Sequence, residues 1–407
     1  MYVYGSPETI SYLDTLYPVD PQTLLRTNLL NALALLIVVS TAALLRISRS
    51  SGKDPAVHLI HDPFKVAIVF LAIGMPVKYL LEWPYVVGLL DYTLPGAIQY
   101  LGSLSGVAQI PLAVASTGKR RLTRWLLWGN LTLELAFGVA ILSKLHILLT
   151  IIWTCLGFHF IRPNVHRLIL TGVVLAIMYA FLLSPFVNFA RSILNHPSAQ
   201  NLAEVAETLG FYVYAGGETT PHALSGVQGW WSRLSYSNVQ AFAMDQYDQG
   251  AAGWTFHRIP FVFLPRVFLH DKPIMTPGRE FTYTLRGTEH SSTGLGFAAE
   301  AYWHGGWLAV FCVCGYVGLL FTVLGKICWH AVRSHRWLYT PAICKAILLG
   351  LRPDDWFVPA YIGGVLHVAV MTLVLHILFR RLVCTNIPSP RQRSRRLSHV
   401  NKPLALS

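Results

Sequence analysis

The stretch LILTGVVLAIMYAFLLSPFV, Leu168–Val187, decides the fold class of this chain. It carries no charged side chain, and a helix of about 20 mainly apolar residues is long enough to cross a bilayer. The whole chain has the same character, because 54% of its 407 residues are hydrophobic, only 13% are charged and the mean hydropathy is +0.47. Soluble domains carry about 25% charged residues. We therefore expect an all-α, polytopic membrane protein.

Working outward from this segment, the same pattern predicts about nine spans. The fifth and the eighth are short, and the eighth contains Lys345. The predicted spans are Leu24–Leu45, Val66–Leu81, Leu94–Ala115, Trp125–Leu142, His146–Ile161, Leu168–Val187, Trp307–Leu324, Leu338–Leu351 and Val358–Phe379.

The charge between the spans predicts their orientation. With nine spans, every basic cluster falls on one side, and the acidic connections fall on the other. The bias of Lys and Arg towards the cytoplasm then places the N-terminus outside and the C-terminus in the cytoplasm. The net charge of +13 needs no nucleic acid as a partner. The basic clusters lie at Arg46–Lys53, Lys119–Arg124, Arg162–Arg167, Lys326–Arg336 and in the tail from Arg380.

The spans divide the chain into four parts. Residues 1–187 form an N-terminal bundle of six spans, and residues 188–306 form one large extracytoplasmic loop. Residues 307–379 provide three more spans, and residues 380–407 are a basic cytoplasmic tail. The loop contains the apolar run Ile259–Leu269, which is too short to span, so we expect an interfacial segment.

Cationic side chains in the loop are candidates for binding phosphate. Arg suits phosphate because its planar guanidinium makes bidentate hydrogen bonds. Arg266, inside the predicted interfacial segment, would lie at headgroup depth; the alternative is a snorkelling side chain that anchors the segment. Solvated loop charges are the alternative for the other candidates, which are Arg233, Arg258, Lys272 and Arg286.

Candidates for proton transfer lie near the start of the seventh span. Glu300 and His304 are four residues apart and would share a helix face if that helix starts early, and His290 is a third candidate base. Tyr302 could stack on a sugar. Surface or packing roles are the alternative for each histidine. The spacing of His, Asp and Glu does not suit a metal, so we expect neither a metal nor a cofactor. Ser291–Gly296 matches no phosphate-loop pattern and predicts a flexible lead-in.

Glu134 is an ionisable residue in the middle of the fourth span. A carboxyl group in a membrane is costly and is usually paired. A structural pair, a proton relay and a transport site all remain open. The candidate partners are Lys78, Lys345, His159, His367 and His376.

Three segments resemble bacterial oligosaccharide repeat-unit polymerases of the O-antigen and exopolysaccharide type. They are WSRLSYS (Trp231–Ser237), FLPRVFLHDKP (Phe263–Pro273) and SSTGLGFAAEAYWHGGW (Ser291–Trp307), and the similarity covers Trp231–Gly325. The resemblance implies arginines for a diphosphate, at Arg233 and Arg266, and a helix start of the form E-x-Y-x-x-x-G at Glu300, Tyr302 and Gly306. Some relatives have a second large outer loop, which this chain lacks.

The resemblance implies transfer of a glycan from undecaprenyl diphosphate to another lipid-linked oligosaccharide at the outer face of the membrane. Other polysaccharide export proteins are candidate partners. A ligase that moves the glycan to a different acceptor, a flippase or transporter of a lipid-linked glycan, and a structural subunit of an export complex are the alternatives. Transporters often contain internal repeats, and the absence of a repeat together with one large loop favours an enzyme.

Overall fold

A computed structural model describes residues 21–47, 59–86, 94–118, 121–161, 163–187, 236–264, 276–287 and 292–386, with positions 190, 207 and 210. Apart from two short strands, the regular structure of these residues is helical. The α-helices are α1 (Pro21–Ile47), α2 (Pro63–Pro76), α3 (Trp83–Val86), α4 (Gly96–Gly102), α5 (Leu104–Val107), α6 (Gln109–Ser116), α7 (Arg121–Ala140), α8 (Lys144–Ile161), α9 (Val165–Met178), α10 (Ser237–Asp248), α11 (Ile259–Phe263), α12 (Pro277–Arg286), α13 (Phe297–Arg333), α14 (Thr340–Leu351) and α15 (Gly364–Val383).

Several helices are extended by tighter or wider turns. Segments of π-helix at Val77–Glu82, Tyr179–Leu183 and Phe357–Gly363 extend α2, α9 and α15, and 3₁₀ turns at Thr255–Arg258 and Trp337–Tyr339 precede α11 and α14. The strands are β1 (Leu59–His61) and β2 (Cys384–Asn386).

The helices confirm the all-α class and a multi-pass membrane protein. A helix lies at each of the nine predicted spans, and seven helices of the described chain are long and apolar enough to cross a membrane. The other two, α7 and α14, do not meet both conditions. The seventh span begins at Phe297, ten residues before the predicted Trp307, because the sequence from Phe297 to His304 is itself helical.

Two hydrophobic clusters organise the bundle. The first joins α1, α10, α13 and the π-helical start of α15, with Tyr361 and Val310 fully buried. The second joins α2, α5, α6, α8, α14 and α15 around Phe70 and Leu104. The first cluster contains the end of the polar loop, so that part of the loop is packed into the bundle.

Small residues allow some of these helices to approach closely. A Cβ added to Gly318 of α13 would lie 2.7 Å from the carbonyl oxygen of Val38 in α1. A Cβ added to Gly74 of α2 would lie 2.3 Å from the backbone nitrogen of Ser105 in α5. Close contact of backbones through small residues is a common basis of helix association in membranes.

The two strands join distant parts of the chain at one end of the bundle. Leu59, Ile60 and His61 pair antiparallel with Asn386, Thr385 and Cys384. The His61 backbone N–H also donates to His335 O (3.2 Å) between α13 and α14. Three segments that the charge pattern places on one side of the membrane therefore meet.

His61 acts here as a neutral hydrogen-bond acceptor. Burial, with smaller contributions from His376 and Arg336, lowers the pKa of His61 to about 4. Its Nδ1 accepts the backbone N–H of Leu338 (3.2 Å). The imidazole thereby fixes the turn that leads into α14.

Candidate functional site

The first two turns of α13 carry the candidate site. Gly305 and Gly306 interrupt the helix, and Gly306 has φ +58°, which favours glycine. Phe297–His304 therefore forms a short helix at the end of the long span, packed against α10 and the 3₁₀ turn at Thr255. Because of the kink, Phe297–His304 is not continuous with the transmembrane part of α13. We refer to the polar region formed by Phe297–His304, α10 and the Thr255 turn as the mouth.

Glu300 is a fully buried carboxyl group with two hydrogen-bond donors beside it. Thr255 Oγ1 donates a hydrogen bond to its Oε1 (2.6 Å), and the backbone N–H of Phe357 donates to its Oε2. A buried charge needs such donors because it has lost its water. Glu300 therefore joins α13, the Thr255 turn and the start of the last span.

His304 extends this group towards the surface. Its Nε2 lies 2.7 Å from Thr255 Oγ1. When Glu300 is ionised, the single hydroxyl proton of Thr255 goes to Glu300, so the hydroxyl accepts from His304 Nε2–H, and His304 Nδ1 keeps the lone pair. The ring stacks on Phe256 with centroids 3.8 Å apart. We refer to Glu300, Thr255 and His304 as the relay.

The predicted shared face of Glu300 and His304 is confirmed, since one hydroxyl contacts both side chains. Thr255 was not among the residues that the sequence indicated. It lies 45 residues before Glu300, and a lone threonine in a loop gives no pattern that would identify it.

Tyr302 belongs to a second polar group at the same mouth. Its hydroxyl donates to Asp248 Oδ1 (3.1 Å) and accepts from Arg26 Nη2 (3.1 Å). Arg26 also pairs with Asp248 and lies 3.8 Å from Asp245. The Tyr302 ring is buried edge-to-face against Tyr247 and Trp307, so the ring has a packing role whether or not a sugar binds.

The sequence analysis also missed Arg26, although a signal was available. An arginine within an apolar helix is rare and marks a polar contact. Arg26 lies one turn and a half from the start of α1 at Pro21, and it brings the first span to the mouth formed by α10 and α13.

Arg258, a predicted phosphate ligand, is held by Glu280. Its Nη1 and Nη2 donate to the two carboxylate oxygens of Glu280 (2.8 and 2.9 Å), and the guanidinium lies 4.4 Å from the Trp254 ring centroid. The bidentate fork is therefore occupied, and a phosphate would have to share it with Glu280 or displace Glu280. Binding by Arg258 stays a prediction.

The lead-in to α13 is anchored by hydrogen bonds. The backbone N–H of Gly296 donates to Asp354 O (3.0 Å), and Trp356 Nε1 donates to Thr293 O (2.9 Å). The prediction of a flexible lead-in is therefore wrong for Ser292–Gly296.

Asp355 lies beside this lead-in. Burial raises the pKa of Asp355, while its ion pair with Arg352 lowers that pKa by less.

Several predicted site residues lie outside the described residues, namely His290, Arg233, Arg266 and Lys272. The side chain of Arg286 is also outside them, although its backbone ends α12. The interfacial segment is described only to Leu264, where α11 has ended. These assignments stay predictions.

A separate charged cluster lies inside the N-terminal bundle. Lys78 Nζ is 2.6 Å and His146 Nε2 is 2.9 Å from Glu134 Oε2, and Ser105 Oγ donates to Glu134 Oε1 (2.6 Å). Lys78 was a predicted partner of Glu134, and that pairing is confirmed. His146 was not predicted as one, because its contact requires the turn between α7 and α8 to bring it back onto Glu134.

The described residues contain no group of three or more His, Cys, Asp or Glu that could hold a metal ion. No protein-family model, curated protein or solved structure matches the chain. The chemistry must therefore be argued from the site. The relay can accept a proton, and the arginines and acids of the mouth can hold a polar ligand near it.

Proposed function

We propose that the protein polymerises lipid-linked oligosaccharide repeat units by glycosyl transfer from undecaprenyl diphosphate. The reaction takes place at the outer face of the bacterial cytoplasmic membrane. The observation that carries the proposal is the relay of Glu300, Thr255 and His304, which lies in the part of the chain that resembles the polymerases.

The chemistry requires one proton acceptor and stabilisation of one leaving group. The acceptor sugar's hydroxyl oxygen attacks the anomeric carbon of the donor glycan, and the bond from that carbon to the diphosphate oxygen breaks. The electron pair leaves with undecaprenyl diphosphate. The hydroxyl proton goes to a general base.

His304 is the proposed base, because the relay leaves Nδ1 with the lone pair. Glu300 is fully buried, so it acts as a positioning residue: it holds the Thr255 hydroxyl, which in turn orients the imidazole. When Nδ1 takes the proton, the buried carboxylate stabilises the imidazolium through Thr255. His290 is the alternative base.

Arginines stabilise the charge that develops on the diphosphate. Arg266 and Arg233 are the proposed ligands from the resemblance, with Arg258, Lys272 and Arg286 as further candidates. Each donates hydrogen bonds without needing a metal. Tyr302 and the acids beside it are proposed to face the sugars rather than the phosphates.

The test is mass analysis of lipid-linked glycans in cells that lack the protein, with wild-type chain and His304→Ala as complementing variants. We expect single repeat units on undecaprenyl diphosphate to accumulate in the deletion strain and with His304→Ala. A membrane-impermeant reagent that modifies sugars should reach these units from outside. Only the wild-type chain should restore polymer.

The rival functions give different products. Loss of a flippase would leave the single units protected from the external reagent. Loss of a ligase would leave long polymer still attached to undecaprenyl diphosphate. Unchanged polymer in the deletion strain would overturn all three functions.

A further inference from the structure

A cavity of about 470 Å³ lies between α8 and α9, far along the chain from the relay. The ends of α6, α8 and α9 contribute to its wall. A volume of a few hundred cubic ångströms is typical of ligand pockets. Its lining includes Phe158, His159, Ile161, Arg167, Leu168 and Thr171.

Two cationic or proton-donating groups line this cavity. Arg167 forms no ion pair with any residue in the described ranges, and its side chain is exposed. His159 Nδ1 accepts the backbone N–H of Asn164 (3.5 Å), so its Nε2 carries the proton and can donate to a ligand. The pair suits an anion with several oxygens.

Most of the rest of the wall is apolar, with Thr117 and Thr171 as its other polar residues. Phe158, Ile161 and Leu168 line the cavity beside the two polar groups. No residue of α9 itself is buried, and its apolar side chains, such as Ile169 and Val173, are exposed. In a bilayer, α9 would therefore face lipid along most of its length. The cavity is a cleft between the end of α8 and the start of α9, which is where headgroups are expected beside two transmembrane helices.

The cleft lies at the basic end of the bundle. Arg121 and Arg124 begin α7, directly after the α6 end that contributes Thr117 to the wall. Basic pockets between transmembrane helices at such an end attract anionic lipid headgroups. A ligand with a phosphate and an apolar chain would match both halves of the wall.

We propose that the cleft between α8 and α9 binds an anionic phospholipid. Its phosphate lies on Arg167 and His159, and the first part of one acyl chain lies against Phe158 and Leu168. The lipid supplies contacts that α9 lacks with its neighbours. This site is independent of glycosyl transfer.

The test compares phosphatidylglycerol with phosphatidylcholine on delipidated full-length protein, by native mass spectrometry and by thermal unfolding. We expect wild-type protein to bind phosphatidylglycerol preferentially and to unfold at a higher temperature when it is present. Arg167→Gln should bind phosphatidylglycerol roughly tenfold more weakly, as expected for the loss of a hydrogen-bonded charge. Its binding of phosphatidylcholine should not change.

Two further variants separate a built site from general surface charge. Arg381→Gln removes an exposed arginine from the end of α15 and should leave lipid preference unchanged. Thr171→Phe fills the cleft without changing charge and should also weaken phosphatidylglycerol binding. Equal binding of both lipids by wild-type protein would overturn the proposal. So would wild-type affinity in Arg167→Gln, or an equal loss in Arg381→Gln.

Discussion

Thr255 determines how the candidate site works at the scale of single residues. Its hydroxyl has one proton, so when Glu300 is ionised and accepts that proton, the contact sets the tautomer of His304. A hydroxyl between a buried carboxylate and an imidazole thus sets which ring nitrogen is basic. The consequence is that three residues act as one unit, although only His304 would touch substrate.

The relay can be tested by removing its members one at a time. His304→Ala should slow transfer by about 10²–10⁴-fold, the usual contribution of a general base, while binding of the lipid-linked donor stays normal. Glu300→Gln and Thr255→Val should lower kcat by less and leave KM unchanged, because they act through His304. Turnover and donor binding of the purified variants are the measurements.

Thr255→Ser is the matched control for Thr255→Val, since it keeps the hydroxyl, and it should keep most of the activity. His290→Ala examines the other candidate base. If His304→Ala, Glu300→Gln and His290→Ala all polymerise normally, the reaction centre lies elsewhere.

Arg266 carries the prediction about the diphosphate. Arg266→Ala should abolish polymer, and Arg266→Lys should be impaired because it keeps the charge but loses the bidentate fork. Single lipid-linked units should accumulate while the protein remains inserted and abundant. Arg279→Ala, at an exposed position of α12, is the control and should polymerise normally. Loss of protein instead of polymer would indicate an anchoring arginine.

The residue pattern predicted only the part of the site that is local in the chain. The spacing of Glu300 and His304 is a helical spacing, so their shared face could be predicted. Thr255 and the backbone of Phe357 reach Glu300 through tertiary packing. Long-range contacts of this kind leave no periodic signal in a single sequence.

At the scale of elements, the contact of α1 with α13 depends on Gly318. Gly318→Ala should lower the free energy of unfolding by about 1–3 kcal/mol, as overpacking does, because the new methyl group would lie 2.7 Å from Val38 O. Gly315→Ala is the control, since a Cβ there meets nothing within 4 Å. Thermal unfolding in detergent measures both. Equal stability of the two variants would show that α1 and α13 can move apart at Gly318 without lowering the free energy of unfolding.

The cluster of Lys78, Glu134 and His146 gives a second test at this scale. Glu134→Gln should destabilise the protein by about 3–5 kcal/mol, because Lys78 would remain charged without its partner. Lys78→Met combined with Glu134→Leu should recover most of that loss, since both charges are gone. Unfolding in detergent and the amount of inserted protein are the measurements. A stable but inactive Glu134→Gln would instead favour a proton relay or a transport site.

The boundaries of the elements were harder to predict than their existence. Hydropathy identifies Trp307–Leu324 as a span but does not extend it back to Phe297, because the turn before it contains Glu300 and His304. The structure compensates these polar side chains with the relay, so the helix can begin earlier. Because the sequence does not reveal the hydrogen-bond donors of Glu300, the pattern favours a loop at this position instead of a helix.

At the scale of the whole molecule, the prediction is an external N-terminus, nine spans and a cytoplasmic C-terminus. A reporter fused after Pro390 should be cytoplasmic, and one inserted within residues 195–235 should be external. The joining of β1, His335 and β2 requires these segments to lie on the same side of the membrane, and the charge pattern alone assigns that side to the cytoplasm. A cytoplasmic reading from 195–235 would contradict the topology and, with it, the proposed reaction at the outer face.

The small sheet has a consequence for how the protein is made. β1 leaves the ribosome long before β2, which follows α15, so Leu59 and Asn386 cannot pair until all the helices described between them have been synthesised. The helices must therefore enter the membrane one after another before β1 and β2 have paired. A message that stops before Cys384 would produce all the described helices but leave β1 without its partner strand, and quality-control proteases should recognise that product.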